Sequence, residues 1–183
     1  IAAAYARGVR LYALDSEAEL DKLAAAAPGS QVFCRILTSG VGADWPLSRK
    51  FGCDIEMARD LLVAAKDRGV VPHGVSFHVG SQQRDPAQWD AAIAEAAWVF
   101  RECEARGVPL SMLNMGGGFP TRYRRDIPGM PAYGSAIRES LVRHFGNRLP
   151  QIIVEPGRQM VGDAGIIQTA VVLIARKSKR DAR

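Results

Sequence analysis

Three short stretches hold the side chains that can do chemistry: Ser76-Phe77-His78-Val79-Gly80-Ser81, Asn114-Met115-Gly116-Gly117-Gly118-Phe119-Pro120, and Ile152-Ile153-Val154-Glu155-Pro156-Gly157-Arg158. In the last, three β-branched apolar residues read as a strand buried on both faces. Glu155-Pro156-Gly157 cannot continue it, because proline has no N–H and glycine invites a turn. An acid and a guanidinium three residues apart then stand at the mouth of that strand, one fit to hold a protonated ring nitrogen and the other a phosphate. Gly116, Gly117 and Gly118 let backbone N–H groups approach an anion without side-chain obstruction, and Ser81 adds a hydroxyl.

Each signal has an ordinary reading. Glycines make tight turns, a histidine at a strand end is commonly structural, and a glutamate near an arginine is commonly an ion pair. Together they say more. The glycines with Arg158 suit a phosphate, while Glu155 and His78 suggest what it is attached to. Glu155 can keep a pyridinium charged so that it accepts electrons from a carbanion, and His78 can lie flat against that ring. This describes pyridoxal phosphate.

The elements that must position these residues alternate between β-type runs and helical patterns, as in a parallel sheet flanked by helices. Strands are predicted at Val9–Leu14, Gln31–Leu37, Gly74–Val79, Leu110–Met115 and Ile152–Glu155, with a sixth β-prone run at Ile166–Ala175. Between them, Ser16 and Glu19 fit a capping box before a helix carrying Leu20, Leu23 and Ala24. A helix over 55–68 places Met57, Leu61, Leu62 and Ala65 on one side. Asp85-Pro86 reads as a helix start with proline at the first helical position, ahead of Trp89, Ile93, Ala96, Ala97 and Phe100. A last helix, 132–145, carries Ile137, Leu141 and Phe145. Candidate ligand residues recur after consecutive strands and not at one switch point, so an α/β fold of the (β/α) barrel type is expected over an open doubly wound sheet. A closed barrel needs eight strands, and about six are visible, so residues 1–183 read as an incomplete fragment of one.

The 183 residues are 48% hydrophobic and 23% charged, the balance of a globular chain that can bury a core. No apolar run approaches a membrane span, and the N-terminal residues lack the pattern of a signal peptide, so a cytoplasmic address with no membrane association is expected. Cys34, Cys53 and Cys103 are odd in number and lack metal-ligand spacing, so buried thiols are expected and no metal. The net charge of +5 owes much to the tail Arg176–Arg183, which lacks interleaved aromatics and does not make a nucleic-acid footprint.

The segments Gly74–Ser81, Gly116–Pro120 and Glu155–Arg158 closely resemble the ornithine decarboxylase family, pyridoxal-phosphate enzymes with an alanine-racemase-like barrel that also include lysine, arginine and diaminopimelate decarboxylases. The likeness extends to Asp15-Ser16-Glu17 and Lys50-Phe51-Gly52, and Val79-Gly80-Ser81-Gln82 looks like the bacterial ornithine or lysine enzymes. It implies that His78 stacks on the ring, Ser81 and Gly118 contact the phosphate, Glu155 partners the pyridine nitrogen and Arg158 is the second phosphate anchor. Gly116, Gly117 and Gly157 join the same cofactor-binding set. The implied activity is decarboxylation of an amino-acid substrate, first of all ornithine to putrescine in polyamine biosynthesis, by a full-length homodimer. A non-catalytic regulator resembling antizyme inhibitors, and a barrel binding a sugar phosphate or nucleotide, are the rival readings. The sequence also departs from the family. No lysine matches the Schiff-base lysine on the family's first barrel strand: Lys22 and Lys66 lie in helical patterns, Lys50 in a loop, Lys177 and Lys179 in the tail. The C-terminal β-domain is absent from this sequence. An arginine that members often carry shortly before Lys-Phe-Gly is Pro46 here, with Arg49 nearby.

Overall fold

A computed structural model of the chain describes residues 1–47 and 50–176; Arg49, Lys177 and Lys179 lie outside the described residues. A short helix α1 (Ala2–Ala6) precedes β1 (Leu11–Leu14), α2 (Glu17–Ala26), β2 (Gln31–Arg35), β3 (Ala43–Trp45), α3 (Ile55–Asp67), β4 (Val71–Ser76) and β5 (Ser81–Gln83). Then come α4 (Gln88–Ala105), β6 (Met112–Asn114), α5 (Met130–Phe145), β7 (Gln151–Ile153) and α6 (Gly157–Val161). Two of the helices, α2 and α3, start at side-chain caps. Ser16 Oγ accepts from Glu19 N at the head of α2, and Asp54 Oδ1 accepts from Met57 N at 2.7 Å at the head of α3.

Five strands form one wholly parallel sheet in the order β1-β2-β4-β6-β7, which is chain order. The helices likewise pack in chain order, α2 on α3, α3 on α4, and α4 on α5. A doubly wound sheet would reverse strand order and divide its helices between two faces, so this arrangement is an arc of a (β/α) barrel. The core between sheet and helices includes Leu20, Val32, Leu62, Val75, Ile93 and Leu113, all fully buried.

Several expectations are corrected. Met57 is exposed, and Ala58 joins Leu61, Leu62 and Ala65 in the buried stripe, which puts the inward face one residue further along α3. Pro86 lies in a turn; α4 starts two residues later, and Asp85 Oδ1 accepts from Ala87 N at 3.0 Å ahead of it. The third parallel strand begins at Val71 and ends at Ser76. Trp45 lies in β3, which pairs antiparallel with β5 (Trp45↔Ser81). Ile152 and Val154 are partly exposed, because β7 has a neighbour on one side only among the described residues. Residues 166–175 form no strand: Ile166 is 98% and Val172 95% exposed, since β propensity without a hydrogen-bonding neighbour does not make a strand.

Candidate active site

Strand register decides what meets at the sheet's C-terminal edge. Arg35, Ser76, Asn114 and Ile153 lie side by side on β2, β4, β6 and β7. Two residues further on, the same register brings His78, Gly116 and Glu155 to one level. The ladder continues past the strands: Phe77 N donates to Asn114 O (3.0 Å), Met115 N to Ile153 O (2.9 Å) and Glu155 N to Gly116 O (2.8 Å). A cavity of about 140 Å³ opens there, lined among others by Arg35, Ser76, His78, Asn114, Gly116 and Glu155. A larger one, about 390 Å³, lies at the opposite end of the strands beside Leu110, Ser111 and Gln151, away from every candidate residue.

The three glycines are needed for close approach. A Cβ at Gly116 would collide with the Phe77 carbonyl and one at Gly118 with the Gly80 carbonyl; one at Gly117 would lie 2.6 Å from Glu155 O and 3.3 Å from His78 Nε2. Gly116 and Gly118 also have positive φ. Among the described residues, the N–H groups of Gly117 and Gly118 have no hydrogen-bond partner. The turn is braced from outside. Phe119 packs on Trp89 (centroids 5.0 Å apart), Tyr133 meets Trp89 edge-on, and the Tyr133 hydroxyl donates to Gln83 O at 3.0 Å.

Each candidate side chain has a defined partner. Asn114 Nδ2 donates to Glu155 Oε1 at 2.8 Å, while Asn114 Oδ1 accepts from Gly116 N at 2.9 Å, so one amide fixes both the carboxylate and the glycine turn. Gly80 N donates to His78 Nδ1 at 3.0 Å, leaving Nε2 to carry the proton of a neutral ring. Burial, and secondarily the Arg35 charge, hold the His78 pKa below the usual histidine value; Glu155 opposes them. Arg158 Nε donates to Ser81 Oγ at 3.2 Å, and its guanidinium lies 5.4 Å from the centre of the Trp45 ring. All the expected residues thus gather at one edge, with Gly157 carried there at the start of α6.

Two residues of the site were not singled out from the sequence, Arg35 and Asn114. Arg35 lines the cavity from β2, and its Nε is buried with no partner among the described residues. A charged residue in an otherwise apolar buried strand was the available signal, and it points to an anionic ligand group. The donor set fits a phosphorylated pyridine: glycine N–H groups, Ser81 and Arg158 for the phosphate, a neutral imidazole for the ring face, and a carboxylate for the ring nitrogen.

A barrel arc with this edge defines a cofactor-binding α/β domain for a phosphorylated aromatic ring. Residues 1–162 match the family described as pyridoxal-dependent decarboxylase, pyridoxal binding domain, and the chain belongs to that family. Its cofactor is therefore pyridoxal phosphate. The lysine/ornithine decarboxylase of Selenomonas ruminantium is 38% identical over 166 residues, covering 90% of this chain and 42% of that protein. Mouse ornithine decarboxylase is 36% identical over 176 residues, 96% of this chain and 38% of that one. Antizyme inhibitor 2 of Xenopus laevis is also 36% identical, over 93% of this chain and 37% of its own. A crystal structure of SrLDC in complex with PLP and cadaverine superposes with a TM-score of 0.76 at 36% identity, covering 87% of this chain and 39% of that one. The chain thus spans about two fifths of the length of these relatives.

Proposed function

We propose that the whole protein decarboxylates a basic amino acid, ornithine before lysine, arginine or diaminopimelate, and so supplies putrescine for polyamine synthesis. The observation that carries this reading is the single edge shared by His78, the glycine turn, Glu155 and Arg158. Bound pyridoxal phosphate supplies an electron sink for the bond that releases CO₂. The chain supplies the settings for it. Glu155, oriented by Asn114, holds a proton on the ring nitrogen; His78, uncharged, covers the ring; Ser81, Gly118 and Arg158 fix the phosphate. Among the described residues no lysine lines the cavity, and by the family resemblance we assign the lysine that bonds the cofactor to the first strand of the family's barrel, which no segment of this sequence matches.

The likeness to the lysine/ornithine enzyme supports a basic substrate. The likeness to an antizyme inhibitor supports the rival, a regulator without turnover. The test is diamine formation by the full-length protein with pyridoxal phosphate, offered ornithine and lysine separately. Putrescine formed faster than cadaverine supports the proposal, and no diamine from any basic amino acid favours the regulator. A homodimer and a cytoplasmic address belong to the same proposal, checked by sedimentation and by cell fractionation.

A further inference from the structure

We propose that Cys34 and Cys53 are an oxidisable dithiol that closes to a disulfide and staples the loop between β2 and α3 to the sheet. Their sulfurs lie 3.5 Å apart, and both are buried. Alternation along β2 explains the placement. Phe33 and Arg35 face the cavity, so Cys34 faces the helices, where Cys53 arrives just before the cap residue Asp54. Cys53 N donates to Arg35 O at 3.0 Å and Leu37 N to Cys53 O at 2.9 Å, so backbone hydrogen bonds hold the two thiols in register. Closing to a bond of about 2 Å needs an approach of roughly 1.5 Å, within the reach of small side-chain rotations. The cofactor site uses neither thiol.

The pair is also polarised. A hydrogen bond from the Cys34 thiol favours the Cys53 thiolate and lowers its pKa, whereas the same bond and burial push the Cys34 pKa up. Cys53 is the less enclosed of the two, 6% exposed against 0% for Cys34, and the exposed Phe51 lies two residues before it. With hydrogen peroxide, the Cys53 thiolate attacks one oxygen, giving a sulfenic acid and hydroxide, which takes up a proton to become water. Cys34 sulfur then attacks the sulfenic sulfur, forming the S–S bond and releasing the second water. The two sulfurs lose two electrons and the peroxide gains them.

The test is a non-reducing tryptic map of the full-length protein after peroxide treatment and alkylation under denaturing conditions. The expected product joins peptide Leu23–Arg35 to Phe51–Arg59, while Cys103, in Glu102–Arg106, stays alkylated. Dithiothreitol returns both peptides as free thiols, and Cys34→Ser or Cys53→Ser abolishes the joined product. Recovery of Cys34 and Cys53 as separately alkylated peptides, accumulation of Cys53 sulfinic acid, or a bridge from either residue to Cys103 overturns the proposal.

Discussion

At the scale of single residues, Glu155 and His78 give the sharpest expectations. Glu155→Gln keeps the contact to Asn114 but removes the charge proposed to hold a proton on the ring nitrogen. In the full-length protein, the proposed turnover is expected to fall by roughly 100-fold or more while the cofactor stays bound. Cofactor absorbance and diamine release measure the two separately, and unaltered turnover rejects the role. His78 yields a pH prediction. Its folded pKa is depressed, so the unfolded chain binds the proton more readily, and stability rises with pH across that window. Stability is fully present above about 6.5 and is lost as pH falls through the lower folded value. His73 is shifted the same way by burial, so the comparison is made against His78→Gln. The unfolding midpoint of the variant is expected to depend less steeply on pH between neutral and mildly acidic buffer.

At the scale of elements, β3 matters because it brings Trp45 over Arg158. Trp45→Ala removes a cation–π contact of about 0.5–1 kcal/mol, so cofactor retention is expected to weaken by roughly 2–5-fold. Dialysis followed by cofactor absorbance measures this, and an unchanged dissociation constant shows that the hydrogen bonds from Arg158 to Ser81 and to the Tyr123 hydroxyl set the guanidinium without the ring. The head of α3 is held by a single side-chain cap. Asp54→Ala leaves Met57 N without its 2.7 Å acceptor, and a loss of about 1 kcal/mol in chemical denaturation is expected.

At the scale of the molecule, the sheet has two edges that are open among the described residues, β1 and β7, and a following run with Ile166, Ile167, Val171, Val172, Leu173 and Ile174 exposed. Unpaired strand edges beside exposed β-branched residues favour intermolecular pairing. Residues 1–183 expressed alone are expected to self-associate, and the double change Ile167→Lys with Val172→Lys is expected to reduce light scattering without altering the buried core.

Much of this organisation is local and therefore legible in the sequence. Ser16 caps α2 because its hydroxyl reaches an N–H three residues on, whereas the carbonyls that leave no room for a Cβ at Gly116–Gly118 belong to Phe77, Glu155 and Gly80, far off in sequence. The alternation of strands and helices implied the barrel class, and residue types with spacing implied a phosphorylated ring. Strand ends were less legible, since pairing and not propensity sets them: the β-prone run 166–175 has no partner among the described residues, while Ala43–Trp45 found one in β5. The union of His78, Gly116 and Glu155 at one level required the register of three parallel strands, which no local pattern encodes. Arg35 and the Cys34–Cys53 pair had to await the folded chain for the same reason. What a buried charge or thiol does depends on what the rest of the molecule brings within a few ångströms of it.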